Sequence, residues 1–432
     1  MKMKKLMSIL LAGCMAFSLT ACGSKDNSGD TGSINADAST GNDTTVSADA
    51  GELTYWSMWN NTEPQAKVIK EAIDAYTAET GIKVNVEWKG RDLGTVLQSA
   101  LEAGEKIDFF DWDYQKIALE YADKVLNLED MAKAVNYDDF AIKALPASVR
   151  RWAGSLVTIP YQPYTSGIFY NKAMFEEAGI EKEPQTWAEF LEVCQKLKDL
   201  GVAPLAQDDA YVDYAFGYHL ARYAGQAEVE NIAINGDWAE NENVLKAAQD
   251  IVDLIEKGYF SEYAPGAYPE GENEVGYEEA AMLVNASWVP AEITNNTGCD
   301  LEWGMFNYPS VDGGKDPNTI ANVGAQGFAI NKNSENAQAA FDLIMKITTG
   351  EYDQKMALEC GGIPADSRNE EWPEDLVGVR ESFLALTETY DWNAGLNANP
   401  DVKETIKTNC LQLFEGKLTA QEFVDAMESA TK

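Results

Sequence analysis

The spacing of apolar residues changes repeatedly along the chain, which predicts alternating strands and helices. Residues 53–56 form an apolar run typical of a strand, and 65–80 repeat with the helical period. A later run, 320–330, is predicted to be a strand broken at Gly324 and Gly327. The same patterns predict strands at 83–88, 107–112 and 282–285 and helices at 93–103, 114–122, 187–200, 215–224, 244–256, 337–348, 402–414 and 421–430. This alternation favours an α/β fold with a largely parallel sheet in its first part.

The segment 159–164 differs from its surroundings because it carries two prolines and two tyrosines. Proline fixes its own φ and biases the residue before it toward extended backbone. We therefore predict a stiff, extended crossing between two lobes, followed by a turn at Ser166 and Gly167. Asn171 and Thr186 are predicted to cap the two helices that come next.

The amino terminus has the pattern of an export signal. Three lysines precede an apolar run at 6–17, and Leu-Thr-Ala-Cys follows, ending at Cys22. This ending resembles a bacterial lipobox, so 1–21 is predicted to be a lipoprotein signal and Cys22 the lipidated residue. Residues 23–50 are rich in Ser, Thr, Asp, Asn and Gly and are predicted to be a disordered tether.

The remaining residues, roughly 380 of them, suit two lobes better than one core. The formal charge of the 432-residue chain is −38, and removal of the three signal lysines makes it more negative still. Such a charge disfavours nucleic acid as a partner. Cys194, Cys299, Cys360 and Cys410 show no metal-ligand spacing, so no metal or other cofactor is predicted; disulfides and free thiols both remain open.

Aromatic residues with polar neighbours recur where predicted strands end. A flat ring there can stack on the apolar face of a sugar, and Asp, Asn or Gln beside it can bond the hydroxyls. Trp56 and Trp187 are predicted to be core residues. The predicted ligand-binding residues are Trp59, Asn60, Asp111, Asp113, Tyr164, Asp209, Tyr211, Trp288 and Trp392.

Catalytic signals are weak in comparison. Asp111 and Asp113 flank Trp112 and would be the carboxylates of a secreted, lipid-anchored glycosidase, which is the alternative function. A surface adhesin is a third possibility. The sequence has no nucleophile elbow, phosphate-binding glycine loop or HExxH motif, so we expect a binding protein rather than an enzyme.

Several segments together resemble one family. Tyr-Asn-Lys at 170–172, the Phe-Glu-Glu-Ala-Gly-Ile helix after it, and Pro-Gln-Thr-Trp-Ala-Glu-Phe at 184–190 resemble the solute-binding proteins of sugar ABC importers, in the branch that contains the maltose-binding protein. The segments 278–288, 328–334, 360–365 and 414–417 resemble that family too. By position, Asp113, Asp209, Tyr211 and Trp288 match family residues that contact sugar, whereas the stretch around Trp59 departs from the maltose-type pattern.

The resemblance implies a type II two-lobe α/β fold with three crossing segments. It places the first lobe at 51–160 and 323–366 and the second at 164–320 and 372–432. It also implies a monomeric receptor that binds a mono- or oligosaccharide and delivers it to the permease subunits of an ABC transporter. With the lipid anchor as its only membrane contact, the protein is expected on the outer face of the cytoplasmic membrane of a Gram-positive-like bacterium.

Overall fold

The structure is a computed structural model that describes residues 51–432. The predicted signal, the tether and Cys22 lie outside the described residues. No helix within 51–432 combines the length and the apolar character that a bilayer crossing requires. Cys194, Cys299, Cys360 and Cys410 are all free thiols, so these four form no disulfide with one another.

Nine strands of the described residues form one mixed sheet, in which β2-β1-β3-β8-β4-β6-β5 are neighbours, β7 pairs with β4 and β9 pairs with β8. The strands are β1 Leu53–Ser57, β2 Val84–Trp88, β3 Phe109–Asp113, β4 Ile159–Asn171, β5 Ala203–Leu205, β6 Ala280–Ala286, β7 Trp303–Phe306, β8 Ile320–Ile330 and β9 Glu388–Tyr390. β1 is parallel to β2 and β3, as expected, but β4 and β8 run antiparallel to their main partners. The sheet as a whole is therefore mixed, whereas the neighbours β2-β1-β3 in its first part are parallel, as predicted.

Helices cover both parts of this sheet. They are α1 Pro64–Thr80, α2 Leu93–Ala103, α3 Tyr114–Glu120, α4 Glu129–Ala134, α5 Ala144–Ala153, α6 Lys172–Glu177, α7 Trp187–Leu200, α8 Val212–Ala224, α9 Gln226–Asn235, α10 Glu242–Glu256, α11 Glu270–Gly276, α12 Val289–Thr297, α13 Ala337–Thr348, α14 Gly350–Cys360, α15 Arg380–Leu384, α16 Lys403–Phe414 and α17 Ala420–Thr431. Asn171 caps α6, and Thr186 with Glu189 forms the predicted capping box of α7. The caps were predictable because a side-chain oxygen satisfies amide donors that the first turn leaves free.

The two longest strands, β4 and β8, connect the two halves of the sheet. β4 pairs with β8 between Ile159 and Thr165, and from Ser166 onward it pairs with β6. The predicted turn at Ser166 and Gly167 is wrong, because both residues lie within β4. The irregularity falls earlier, as a bulge between Tyr161 and Tyr164.

The predicted break in β8 is also wrong, since the strand is continuous from Ile320 to Ile330. Gly324 lies opposite Tyr164, and a Cβ placed on Gly324 would come within 2.0 Å of the Tyr164 ring. Gly327 faces Thr158 in a similar way, with its Cβ position 2.4 Å from Oγ1. Both glycines therefore admit neighbouring side chains and do not interrupt the strand.

Aromatic rings fill the core beneath β1, β3 and β8. Tyr55 stacks on Phe109 with ring centroids 4.6 Å apart, and Phe328 packs against both. Trp56 and Trp187 are buried, as predicted for core residues. Burial of such rings removes large apolar areas from water, which is the main source of stability in a sheet covered by helices.

Candidate binding site

Four of the predicted rings meet in one cluster, which we call the aromatic cluster: Tyr164, Tyr211, Trp288 and Trp392. The Tyr164 ring centroid lies 5.2 Å from that of Trp288, and Tyr211 lies 6.4 Å from Trp288 and 6.2 Å from Trp392. Trp288 and Trp392 are 6.3 Å apart with their planes inclined by 24°. The rings are partly exposed, Trp392 by 37%, so they present apolar faces to solvent.

Three of the rings sit beside the ends of elements and Tyr164 lies within β4, beside its bulge. Tyr164 follows the β4 bulge, Tyr211 precedes α8, and Trp288 lies between β6 and α12. Trp392 begins a 3-10 turn in which Asn393 and Ala394 adopt left-handed φ values of 58° and 48°. Such backbone persists only where its surroundings enforce it.

The turn that carries Trp392 is held against α8. The Asn393 carbonyl oxygen lies 2.1 Å from the position that a Cβ on Gly217 would take, so only glycine allows this approach. The Asn393 side chain also donates a hydrogen bond to Asp213. The orientation of Trp392 is therefore fixed by backbone packing that local sequence patterns do not reveal.

Asp113 lies beside the aromatic cluster although it belongs to β3, in the half of the sheet that contains β1 and β2. One of its carboxylate oxygens accepts the backbone N–H of Lys116 at 2.8 Å, so Asp113 caps α3. Its carboxylate is close enough to Tyr164 to help raise the pKa of that phenol, after the larger effect of burial. Asp113 thus lies beside the aromatic cluster with one oxygen not used by the cap.

Trp59 and Asp111, both predicted to bind the ligand, are buried in the structure. Trp59 is only 6% exposed, and its indole N–H donates to the Tyr161 hydroxyl at 2.6 Å. Tyr161 in turn donates to Asp111 at 2.6 Å, and Tyr55 donates to the other oxygen of Asp111 at 2.8 Å. Burial raises the pKa of Asp111 to about 6, although these donors oppose the shift. Asp111 therefore has a structural role.

Asn60 and Asp209 are occupied by local contacts. The backbone and side-chain N–H groups of Asn60 both donate to Glu63, which shapes the turn before α1. Asp209 accepts the backbone N–H of Tyr268 at 3.0 Å. Tyr268 packs edge-on against Tyr211 at 6.3 Å, so Asp209 borders the aromatic cluster, whereas Asn60 is placed near Trp59.

Sequence reasoning missed Gln326, one of two polar residues in the mostly apolar strand β8, the other being Asn322. β8 lies between β3 and β4, and Gln326 pairs with Asp113 of β3 and with Tyr161 of β4. Residues directly opposite each other share one face of a sheet, so Gln326 points to the same face as Asp113. Its amide oxygen is buried and has no hydrogen-bond partner among the described residues. A lone glutamine in a mostly apolar strand was the available signal.

A second set of carboxylates lies close to Tyr211: Asp208, Glu272 and Glu292. Tyr268 donates its hydroxyl to Glu292, and Asn285 donates to Glu272 at 3.1 Å. Burial and then these three carboxylates raise the pKa of Tyr211 to about 12. The aromatic cluster is therefore bordered by acidic groups that the sequence pattern did not single out.

A separate groove, about 930 Å³ in volume, opens beside Tyr170 and Phe175. Its two rings stack on each other with centroids 3.9 Å apart, so their facing surfaces are already covered. None of the residues that line it belongs to the aromatic cluster. For a flat, partly apolar ligand, the aromatic cluster offers the better surface.

The fold and the site define a protein that binds a small solute, since rings and hydrogen-bonding groups converge where the two halves of the sheet meet. The chain belongs to the family of bacterial extracellular solute-binding proteins, whose model matches residues 59–351. Members of this family are binding proteins, which confirms that the chain is not an enzyme and gives no support to the glycosidase alternative.

Known proteins agree with this assignment. A galactooligosaccharide-binding protein of Bacillus subtilis is 22% identical over 372 residues, which span 84% of this chain and 82% of that protein. An sn-glycerol-3-phosphate-binding periplasmic protein of Rhizobium meliloti is 23% identical over 230 residues, or 49% of this chain and 50% of that protein. A probable secreted solute-binding lipoprotein from Streptomyces coelicolor matches with a TM-score of 0.71 at 18% identity, covering 89% of this chain and 99% of that one. This structural likeness confirms the two-lobe type II α/β fold.

Proposed function

We propose that this protein is the carbohydrate receptor of an ABC importer. The observation that carries this proposal is the aromatic cluster, which presents partly exposed rings at one place, from β4, from the residues just before α8 and α12, and from the Trp392 turn. Sugar rings have an apolar face of C–H groups and a rim of hydroxyls. Flat side chains bordered by carboxylates and an amide suit both features. A relative named for galactooligosaccharides supports the same ligand class.

The ligand would lie between the proposed lobes, 51–160 with 323–366 and 164–320 with 372–432. Asp113 comes from the first of these and Trp288 from the second, while Tyr164 lies at the crossing. A ligand that contacts both sides stabilises whichever arrangement brings them together, by its difference in affinity for the two. The closed, loaded receptor would then be the form that the permease subunits recognise.

The function is tested by screening neutral mono- and oligosaccharides for thermal stabilisation, followed by calorimetry. We expect Trp288→Ala to weaken binding of the best ligand by about 1–3 kcal/mol, the range for losing a well-packed aromatic contact. Trp88→Ala is the matched control, because Trp88 is also a partly exposed tryptophan at a strand end but lies on the edge strand β2. Equal losses in both variants, or no binding of any carbohydrate, would contradict the proposal.

Gln326 gives a second test of the site. Gln326→Leu is expected to weaken the same ligand by about 0.5–1.5 kcal/mol, the usual net contribution of one hydrogen bond. Gln162 is a matched control, since it also lies on a crossing strand and also has a buried amide oxygen without a partner among the described residues. Its side chain packs beside Gly362. Calorimetry that finds Gln162→Leu as harmful as Gln326→Leu would remove Gln326 from the site.

Anchoring through a lipid on Cys22 is part of the proposal. The Leu-Thr-Ala-Cys sequence and the polar stretch that follows it support the idea, as does a probable lipoprotein among the structural relatives. Because one residue would supply both the processing site and the lipid, Cys22→Ala is expected to release the protein into the medium or to leave it unprocessed. Fractionation that still finds the variant on salt-washed membranes would count against the lipid.

A further inference from the structure

Five carboxylates border the aromatic cluster, and we call them the acidic wall: Asp113, Asp208, Asp209, Glu272 and Glu292. They come from four different places in the fold, namely the end of β3, the loop before α8, α11 and α12. Tyr268 links two of them, since its backbone N–H donates to Asp209 and its hydroxyl donates to Glu292. The acidic wall therefore belongs to the binding site and is not a scattered surface charge.

The acidic wall is not neutralised by the rest of the described chain. None of its members forms an ion pair with a residue in 51–432. The basic groups that act on it are Lys116, which lowers the pKa of Asp113, and Lys407, which lowers that of Asp208. Both pKa values nevertheless stay above their ordinary range, because burial outweighs the two lysines. No group of three such residues in the described chain is arranged as metal ligands.

Glu272 is the most deeply buried member of the acidic wall. Its side chain is 0% exposed, one oxygen accepts from Asn285, and the other has no partner among the described residues. Burial, then the charges of Glu292 and Asp208, raise the pKa of Glu272 to about 8. Burial and the two neighbouring carboxylates therefore both disfavour a further negative charge at this place.

We propose that the acidic wall selects ligands by charge, so that the site takes uncharged or cationic carbohydrates and rejects phosphorylated and uronic ones. This inference rests on the proposed carbohydrate function. Sugar hydroxyls and amines can donate hydrogen bonds to the free carboxylate oxygens, whereas a phosphate or carboxylate can only accept. In a partly buried site, the repulsion between like charges is far stronger than in water.

Selection by charge would exclude a class of ligand for which one of the relatives is named. A doubly charged ligand such as sn-glycerol 3-phosphate, for which one relative is named, is best held by arginine or lysine donors. Arg91, the arginine that covers the Trp59 ring, already donates to the Met58 carbonyl and to Glu63. The aromatic cluster is thus bordered by carboxyl groups where such a ligand needs cationic donors.

The test uses calorimetry on the full chain at neutral pH, with neutral, amino, uronic and phosphorylated mono- and oligosaccharides and with sn-glycerol 3-phosphate. We expect the tightest ligand to be uncharged or cationic, and its uronic or phosphorylated form to bind about 100-fold more weakly or not at all. An anionic carbohydrate as the tightest ligand overturns the inference and leaves the proposed function intact. If no carbohydrate of any charge binds, the proposed function fails and the inference falls with it.

A charge-neutralising variant checks the cause. Glu292→Gln keeps an oxygen that Tyr268 can bond. It is expected to reduce the ratio of the affinities for the neutral ligand and for its anionic form about tenfold. Glu256→Gln removes the same charge from an exposed position on α10 and is expected to leave this affinity ratio unchanged. If both variants reduce the affinity ratio equally, the discrimination reflects the net charge of the protein. That result would overturn the role of the acidic wall.

Discussion

Replacing Trp59 by alanine is expected to lower the free energy of unfolding by about 3–5 kcal/mol, the range for deleting a buried tryptophan. The ring is almost fully buried, and the Arg91 guanidinium lies 4.6 Å from its centroid. Its indole N–H also donates to Tyr161, which in turn bonds Asp111. Alanine would leave a cavity and remove one member of this buried hydrogen-bond chain.

Urea unfolding followed by circular dichroism measures this effect. Trp59→Phe should cost less than Trp59→Ala, because it keeps most of the ring and loses only the N–H donor. Trp288→Ala is the comparison variant, since its ring is partly exposed and its loss should act mainly on ligand binding. If Trp59→Ala unfolds like the wild type yet binds sugar weakly, Trp59 belongs to the wall of the site.

Glu272→Gln is expected to change how stability depends on pH. The folded pKa of about 8 lies above the ordinary value of 4.5, so between these values the folded chain keeps a proton that the unfolded chain releases. This contribution to stability is complete below about pH 4.5 and is lost as the pH rises through 8. Glutamine resembles the protonated carboxyl group and has no proton to lose.

The variant should therefore match the wild type near pH 4 and exceed its free energy of unfolding by about 2 kcal/mol or more at pH 8. Denaturant titrations at several pH values give the comparison. Glu256→Gln, which removes an exposed carboxylate, is the control and should keep the wild-type slope. A Glu272→Gln profile parallel to the wild type would mean that Glu272 ionises freely in the folded chain.

Local patterns predicted most elements of the fold. The 3.6-residue period located α7 and α13 at their observed bounds, and the Asn171 cap located the start of α6. The order of strands was harder, because β4 and β8 pair with partners more than a hundred residues away. A pattern of alternating strands and helices favours parallel pairing, and nothing local to β4 or β8 contradicts it.

The candidate site was predicted in part for a similar reason. Tyr164, Tyr211, Trp288 and Trp392 could be singled out because rings with polar neighbours are visible in sequence, and the structure brings the four together; their contact with a ligand stays a prediction. Trp59 has the same local surroundings but is buried, since its exposure depends on Tyr161, a hundred residues later. Local sequence identifies the type of side chain, and tertiary packing decides which way it faces.

The contact between Tyr164 and Gly324 has a consequence for natural variation. The Tyr164 ring occupies the space that any side chain at position 324 would need, so the two positions cannot both carry large residues. Among orthologues, we expect a residue larger than glycine at 324 only where position 164 is small. A lineage that changes its ligand by altering the ring at 164 would then carry a compensating change on the neighbouring strand. Paired substitutions at these two positions would mark where specificity has diverged.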